Sequence, residues 1–148
     1  MGNHVISVRA ESGATPLTRV TARQHEFTID EPALFGGEDT APSPVEYLLG
    51  AVAGCITAIG CQMAKEAGFQ VYGLRASVDG EIDSARFLGL PGGTRSGFQE
   101  IRIGLEIDCS ATEEQLRGWQ EQLALRCPVL DGLLHPAKVK IDCERKRQ

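Results

Sequence analysis

The sequence has no Cys-x-x-Cys pair, no basic stripe, no internal repeat and no low-complexity or interdomain tract. Its three histidines, His4, His25 and His135, are far apart, and none stands at ligand spacing from a cysteine. Without such spacing no structural zinc site is expected. The net charge is -5, with basic residues scattered except in the tail ERKRQ. A nucleic-acid backbone would need a basic face, so nucleic-acid binding is disfavoured.

The N-terminal stretch MGNHVISVRAESG lacks a basic region followed by a long apolar run, and a cytoplasmic location is expected. The longest apolar stretch, Tyr47 to Met63, stands alone between Glu46 and Lys65, which reads as a core helix and not a membrane span. Five cysteines, Cys55, Cys61, Cys109, Cys127 and Cys143, are an odd number. In a chain read as intracellular they are expected to be free thiols.

What is present suits a single domain over 1–148 with one core. Residues 4–11 and 17–30 read as a hairpin of two strands joined by SGATP. The loop LFGGEDTAPSP follows, and Ser43, Pro44 and Glu46 then mark a helix start, with Ser as N-cap and Glu closing a capping box. This helix should run to about Ala67 and stop at Gly68. It is apolar on nearly every side, so it should be surrounded by protein. Gly50, Gly54 and Gly60 each cost it about 1 kcal/mol against Ala, which the close approach of another backbone, such as the same helix of a second subunit, would offset.

Residues 71–83 and 97–108 read as two more strands; Ile101, Ile103, Leu105 and Ile107 alternate with polar neighbours. A glycine-rich connection, DSARFLGLPGGTRSG, joins them. Ser110 and Glu113 suggest a second capping box, opening a helix to about Arg126 whose core side carries Leu116, Trp119, Leu123 and Cys127. A short closing strand, AKVKIDCE, is expected to turn Val139 and Ile141 inward. The order ββ, α, ββ, α, β gives an α+β fold with largely antiparallel sheets.

Cys55 lies in the middle of the apolar helix with no His, Lys or Arg within eight residues on either side. Burial raises a thiol's pKa, so an isolated Cys55 is inert unless another element brings a cation. Cys61 is about 9 Å further along the axis and on a different face, out of disulfide reach. Cys127 precedes Pro128. If that proline opens a new helical turn, free backbone N–H groups are available to a thiolate there; if it only ends the old helix, the dipole opposes one. Arg19 and Arg23, four apart on the second strand, are the cations able to point one way.

Taken in order, HEFTIDEPALFGGEDTAPSPVEYLLGAVAGC and the later RCPV resemble the family of osmotically inducible protein C and organic hydroperoxide resistance proteins, over about residues 18 to 141. The resemblance rests on the DEP and GG loop, the Ser-Pro helix start, a helix cysteine eleven residues after that proline, and the late Cys-Pro pair. It implies an intertwined homodimer in which strands of both chains wrap two central helices. It further implies a thiol peroxidase acting on organic hydroperoxides, with Cys55 as attacking thiolate, Cys127 as resolving thiol and no cofactor. The reductant would be an external dithiol, in some members a lipoylated protein. Well-studied branches carry a glutamate directly after the helix-start proline, paired with a catalytic arginine. Here Val45 holds that place and Glu46 is read as the cap, with Arg23 as the candidate arginine and Arg19 in reserve.

Overall fold

Ser43 and Glu46 close the capping box at the start of α1 (Pro44–Glu66). The Glu46 carboxylate accepts from the Ser43 backbone N–H (2.7 Å) and hydroxyl (2.8 Å). These bonds hold the Glu46 carboxyl below its usual pKa, the backbone bond most strongly. The helix ends as expected. Gly68 adopts a left-handed conformation, its N–H bonds to the Lys65 carbonyl, and that of Phe69 bonds to Ala64, the pairing of a Schellman stop. Residues 2–145 are described in this computed structural model.

By internal contacts the chain divides into two compact units, Met1–Ala51 with Ser77–Gly104, and Val52–Ala76 with Leu105–Gln148. In the first, β1 (Arg9–Ser12), β2 (Thr18–Ala22) and β3 (His25–Ile29) form an antiparallel sheet in that order. The expected strand 17–30 is therefore two strands. The pairing Ala22↔His25 leaves Arg23 and Gln24 as a two-residue turn, with Arg23 at φ 56°. The polar run ARQHE has no alternation to hold it flat, and the chain reverses there. Arg23 thus sits on the turn and does not share a strand face with Arg19, which pairs with Thr28 in the sheet.

Beyond β3, Asp30 organises the loop that leads to α1. Only 1% exposed, it accepts from the backbone N–H groups of Glu31 (2.8 Å), Glu38 (3.2 Å) and Thr40 (3.0 Å) and from the Thr40 hydroxyl (2.8 Å). The backbone bond from Thr40 is the largest cause holding its carboxyl below the ordinary range, and burial opposes it. A folded-state pKa below the unfolded value gives stability that is complete above the unfolded pKa and is lost as pH falls through the folded one. Asp30→Asn should accordingly lower the urea midpoint at pH 7, and the gap to wild type should close below about pH 4. A gap independent of pH would contradict this role.

The strands β4 (Val71–Ile82) and β5 (Phe98–Cys109) form a two-stranded sheet. Their direction is antiparallel: Arg75 pairs with Glu106 at 3.2 Å, and the Ser77 hydroxyl faces the Gly104 carbonyl at 3.5 Å. The half-buried residues alternate, Val78 and Gly80 on one strand, Ile101, Ile103, Leu105 and Ile107 on the other. The glycine-rich connection between them folds on itself: Asp83 accepts from Ala85 and Thr94, and Phe87 meets the Phe35 ring edge-on.

In the second unit, α2 (Glu113–Arg126) begins two residues later than the Ser110–Glu113 pattern implies. Thr112 is the N-cap and Gln115 completes the box. Ser110 is engaged elsewhere, its hydroxyl accepting from the N–H of Gln70 and its own N–H donating to the Gln70 carbonyl. Trp119, Leu123 and Cys127 are buried as expected, and Leu116 is half-buried. Pro128 opens a further short helix, α3 (Pro128–Leu134). The expected closing strand does not form among the described residues: 136–145 make no ladder, and Val139 and Ile141 are 82% and 89% exposed. A strand needs a partner edge, and among the described residues this segment pairs with neither the β1–β2–β3 sheet nor the β4–β5 sheet.

Helix α1 also departs from the expectation of being surrounded. Val52, Ile56, Gly60, Met63 and Ala64 are buried, while Gly50, Ala51, Gly54, Ala58 and Cys61 form an exposed stripe of small residues.

Candidate active site

The site is built in the second unit, where α1 meets the junction of α2 and α3. Gly60 lets α2 come close. Its carbonyl accepts from the Trp119 indole N–H at 2.9 Å, and a side chain at position 60 would stand 2.8 Å from the Trp119 ring and 3.1 Å from Leu74. The glycine's cost to the helix is thus offset by a tryptophan of the same chain. At the far end of α2, the Arg126 guanidinium forms a two-pronged ion pair with Glu66, Nη1 to Oε2 and Nη2 to Oε1, the latter at 3.1 Å. Arg126, then Gln62, holds the Glu66 carboxyl below its usual pKa, and Glu66 raises that of Arg126. These contacts fix the end of α2, and the next residue is Cys127.

Cys127 serves as C-cap of α2 and N-cap of α3. It is completely buried, and its thiol donates to the Cys55 sulfur at 2.9 Å. Two residues separated by 72 positions in sequence are thereby brought closer than simple contact of two sulfurs, yet remain longer than the ~2.05 Å of a disulfide. Both are free thiols. Cys55 itself is partly exposed.

The open question about Pro128 is resolved by α3. The proline does begin a helix, and the first free N–H after it, that of Val129, bonds to the Cys55 sulfur and lowers its pKa. The stabilising donor goes to Cys55 and not to Cys127. It does not win: burial is the largest influence and pushes the Cys55 thiol up, helped by the hydrogen bond with Cys127. No arginine contributes. Arg23 is exposed on its turn and Arg19 is exposed on β2, and neither makes an ion pair among the described residues. Glu46 is committed to Ser43, as a capping residue should be. Cys61 and Cys143 are exposed and Cys109 is half-buried. No group of His, Cys, Asp and Glu among the described residues is placed to hold a metal ion.

A profile of the family described as OsmC-like protein matches residues 36–142. The chain belongs to the OsmC-like family. No curated protein is a detectable sequence relative. Among solved structures, an OsmC-like protein from Mycoplasma pneumoniae superposes with a TM-score of 0.77 at 20% identity, covering 91% of each chain. An organic hydroperoxide resistance protein from Elizabethkingia anophelis, with thiocyanate bound, gives 0.66 at 16% identity over 91% of each chain. Another, from Legionella pneumophila, gives 0.64 at 12% identity, covering 91% of this chain and 93% of that one. At these identities the likeness establishes the OsmC-like α+β fold, with three helices and antiparallel sheets.

Proposed function

We propose that this OsmC-like protein is a thiol peroxidase that reduces organic hydroperoxides to alcohols. The observation that carries the reading is the 2.9 Å approach of the Cys55 and Cys127 sulfurs. In this reaction the Cys55 thiolate attacks the distal peroxide oxygen and the O–O bond breaks. The leaving alkoxide takes up the proton released when the Cys55 thiol ionised and departs as the alcohol, and Cys55 becomes a sulfenic acid. Cys127 then attacks that sulfur, water leaves, and the disulfide waits for an external dithiol such as a lipoylated protein. The partly exposed Cys55 meets the hydroperoxide, and the buried Cys127 resolves.

The reading needs a cation at Cys55, because within one chain the thiol pKa is raised. A homodimer supplies it: a wrapping strand or turn of the second chain brings Arg23, or else Arg19, to the sulfur. Three features favour dimerisation. Among the described residues the small-residue stripe of α1 is exposed, the apolar residues Val5, Ile6, Val139 and Ile141 are more than four-fifths exposed, and the 12-residue strands β4 and β5 pair only with each other. Helix α1 is long and apolar enough to cross a membrane. We read it as a dimer-core helix in a cytoplasmic protein, since one face is already buried on Trp119 and Leu123.

The test is dithiol-dependent consumption of cumene hydroperoxide by reduced protein, with hydrogen peroxide as the comparison. Consumption that favours the bulky substrate is expected; none with either would end the reading. The raised Cys55 pKa, with Val45 in the glutamate's place, favours a second reading: a member without peroxidase activity that binds a small apolar ligand or senses redox state at the dimer cleft. A Cys55 pKa in the dimer at or above that of a free thiol would support this alternative.

A further inference from the structure

The two sulfurs of the site differ in access, and access decides where a reductant attaches. Cys127 is 0% exposed in the single chain, at the α2–α3 junction on the buried side of Trp119 and Leu123. Cys55 is partly exposed, so of the two sulfurs it alone has surface open to solvent in the chain. A second chain can only cover more surface, so Cys127 stays closed to a bulky thiol in any assembly that keeps this fold. Exchange requires a thiolate to reach one sulfur of the disulfide and expel the other.

Building on the peroxidase reading, we propose that re-reduction passes through a mixed disulfide between the external dithiol and Cys55, with Cys127 as the leaving sulfur. The reductant's thiolate attacks the Cys55 sulfur and the Cys55–Cys127 bond breaks. The electron pair departs on Cys127, which takes up the proton released when the reductant's thiol ionised. The reductant's second thiol then ionises in turn and attacks its own sulfur in the mixed disulfide. This closes a disulfide within the reductant and frees the Cys55 thiolate, which takes up that second proton. Two electrons and two protons have moved from the dithiol to the protein. In the intermediate, Cys127 remains beside the Cys55 sulfur and can reverse the first step, so a monothiol adduct is short-lived and must be trapped quickly.

The experiment forms the disulfide with diamide, so that it does not depend on peroxidase turnover, and confirms the Cys55–Cys127 cross-linked peptide. Oxidised wild-type protein then meets excess 2-mercaptoethanol, is quenched in acid within seconds, denatured and alkylated with N-ethylmaleimide. Fragment spectra separate Cys55 from Cys61, which share the stretch between Arg23 and Lys65. Mercaptoethanol on Cys55 and maleimide on Cys127 should exceed the reverse pattern by about tenfold or more. The same protein unfolded in urea before reduction should label both sites nearly equally. Equal or reversed labelling of the folded protein, or a bias that persists in urea, overturns the inference and leaves the peroxidase reading standing. Failure to form the cross-link overturns both.

Discussion

If the proposed peroxidase reading holds, Cys55→Ser should abolish dithiol-dependent hydroperoxide consumption, a loss on the order of a thousandfold or more, because a serine hydroxyl without an adjacent base is not ionised at neutral pH. The partner substitution has a different signature. Cys127→Ser should keep the first step, so that one equivalent of hydroperoxide still reacts, but the sulfenic acid would have no resolving thiol 2.9 Å away. It should be trapped by dimedone, and with excess hydroperoxide it should climb to the sulfinic acid. If Cys55→Ser keeps more than a tenth of the wild-type rate, another residue is the nucleophile.

Trp119→Ala should be the most destabilising substitution in the second unit, at about 3–5 kcal/mol. Trp119 is 5% exposed, fills the space left by Gly60, and donates its indole N–H to the Gly60 carbonyl. Losing it opens a cavity between α1 and α2 and removes a buried bond. The consequence reaches the site, because α2 carries Cys127 at its end. Diamide-driven cross-linking of Cys55 to Cys127 should slow even under conditions where the variant remains folded. Trp119→Phe keeps most of the apolar filling but not the donor, and should recover most of the stability. Urea midpoints and cross-linking rates measured together decide the matter. Wild-type cross-linking in a destabilised Trp119→Ala would show that Cys127 is held in place by something other than this packing.

Local signals were legible where one residue's chemistry has one partner. The Ser43–Glu46 box, the left-handed stop at Gly68 and the alternation along β5 all depend on neighbours a few positions away. Other signals failed where a distant residue competed. Ser110 is drawn to Gln70 and leaves Thr112 to cap α2. The two-residue turn at Arg23 follows from the pairing of β2 with β3, which strand propensity along ARQHE does not reveal. The strand expected at AKVKIDCE pairs with none of the available sheet edges among the described residues, and edge pairing is a tertiary choice that local alternation does not encode.

The glycines of α1 divide in the same way. Gly60 is explained by Trp119 inside the chain. Side chains added at Gly50 or Gly54 would meet nothing within 4 Å, so no contact among the described residues accounts for these two glycines, as the proposed dimer would.

At the site, the Cys55 and Cys127 pair was expected from the family's spacing, and burial as the cause of a raised Cys55 pKa followed from its apolar helix. The direction in which α3 spends its first free N–H was not legible. It depends on which sulfur the fold brings to the Val129 N–H, a tertiary fact that the Cys-Pro dipeptide does not encode. Asp30 gave no sequence signal beyond its place in the DEP loop, because its four donors are scattered over ten residues that only the folded loop gathers.

The most direct measurement adds one equivalent of cumene hydroperoxide to fully reduced protein, then counts free thiols and maps peptides. The account predicts that the five thiols per chain fall to three, with a single cross-link between Cys55 and Cys127. Five thiols remaining, or a cross-link through Cys61, Cys109 or Cys143, would contradict it.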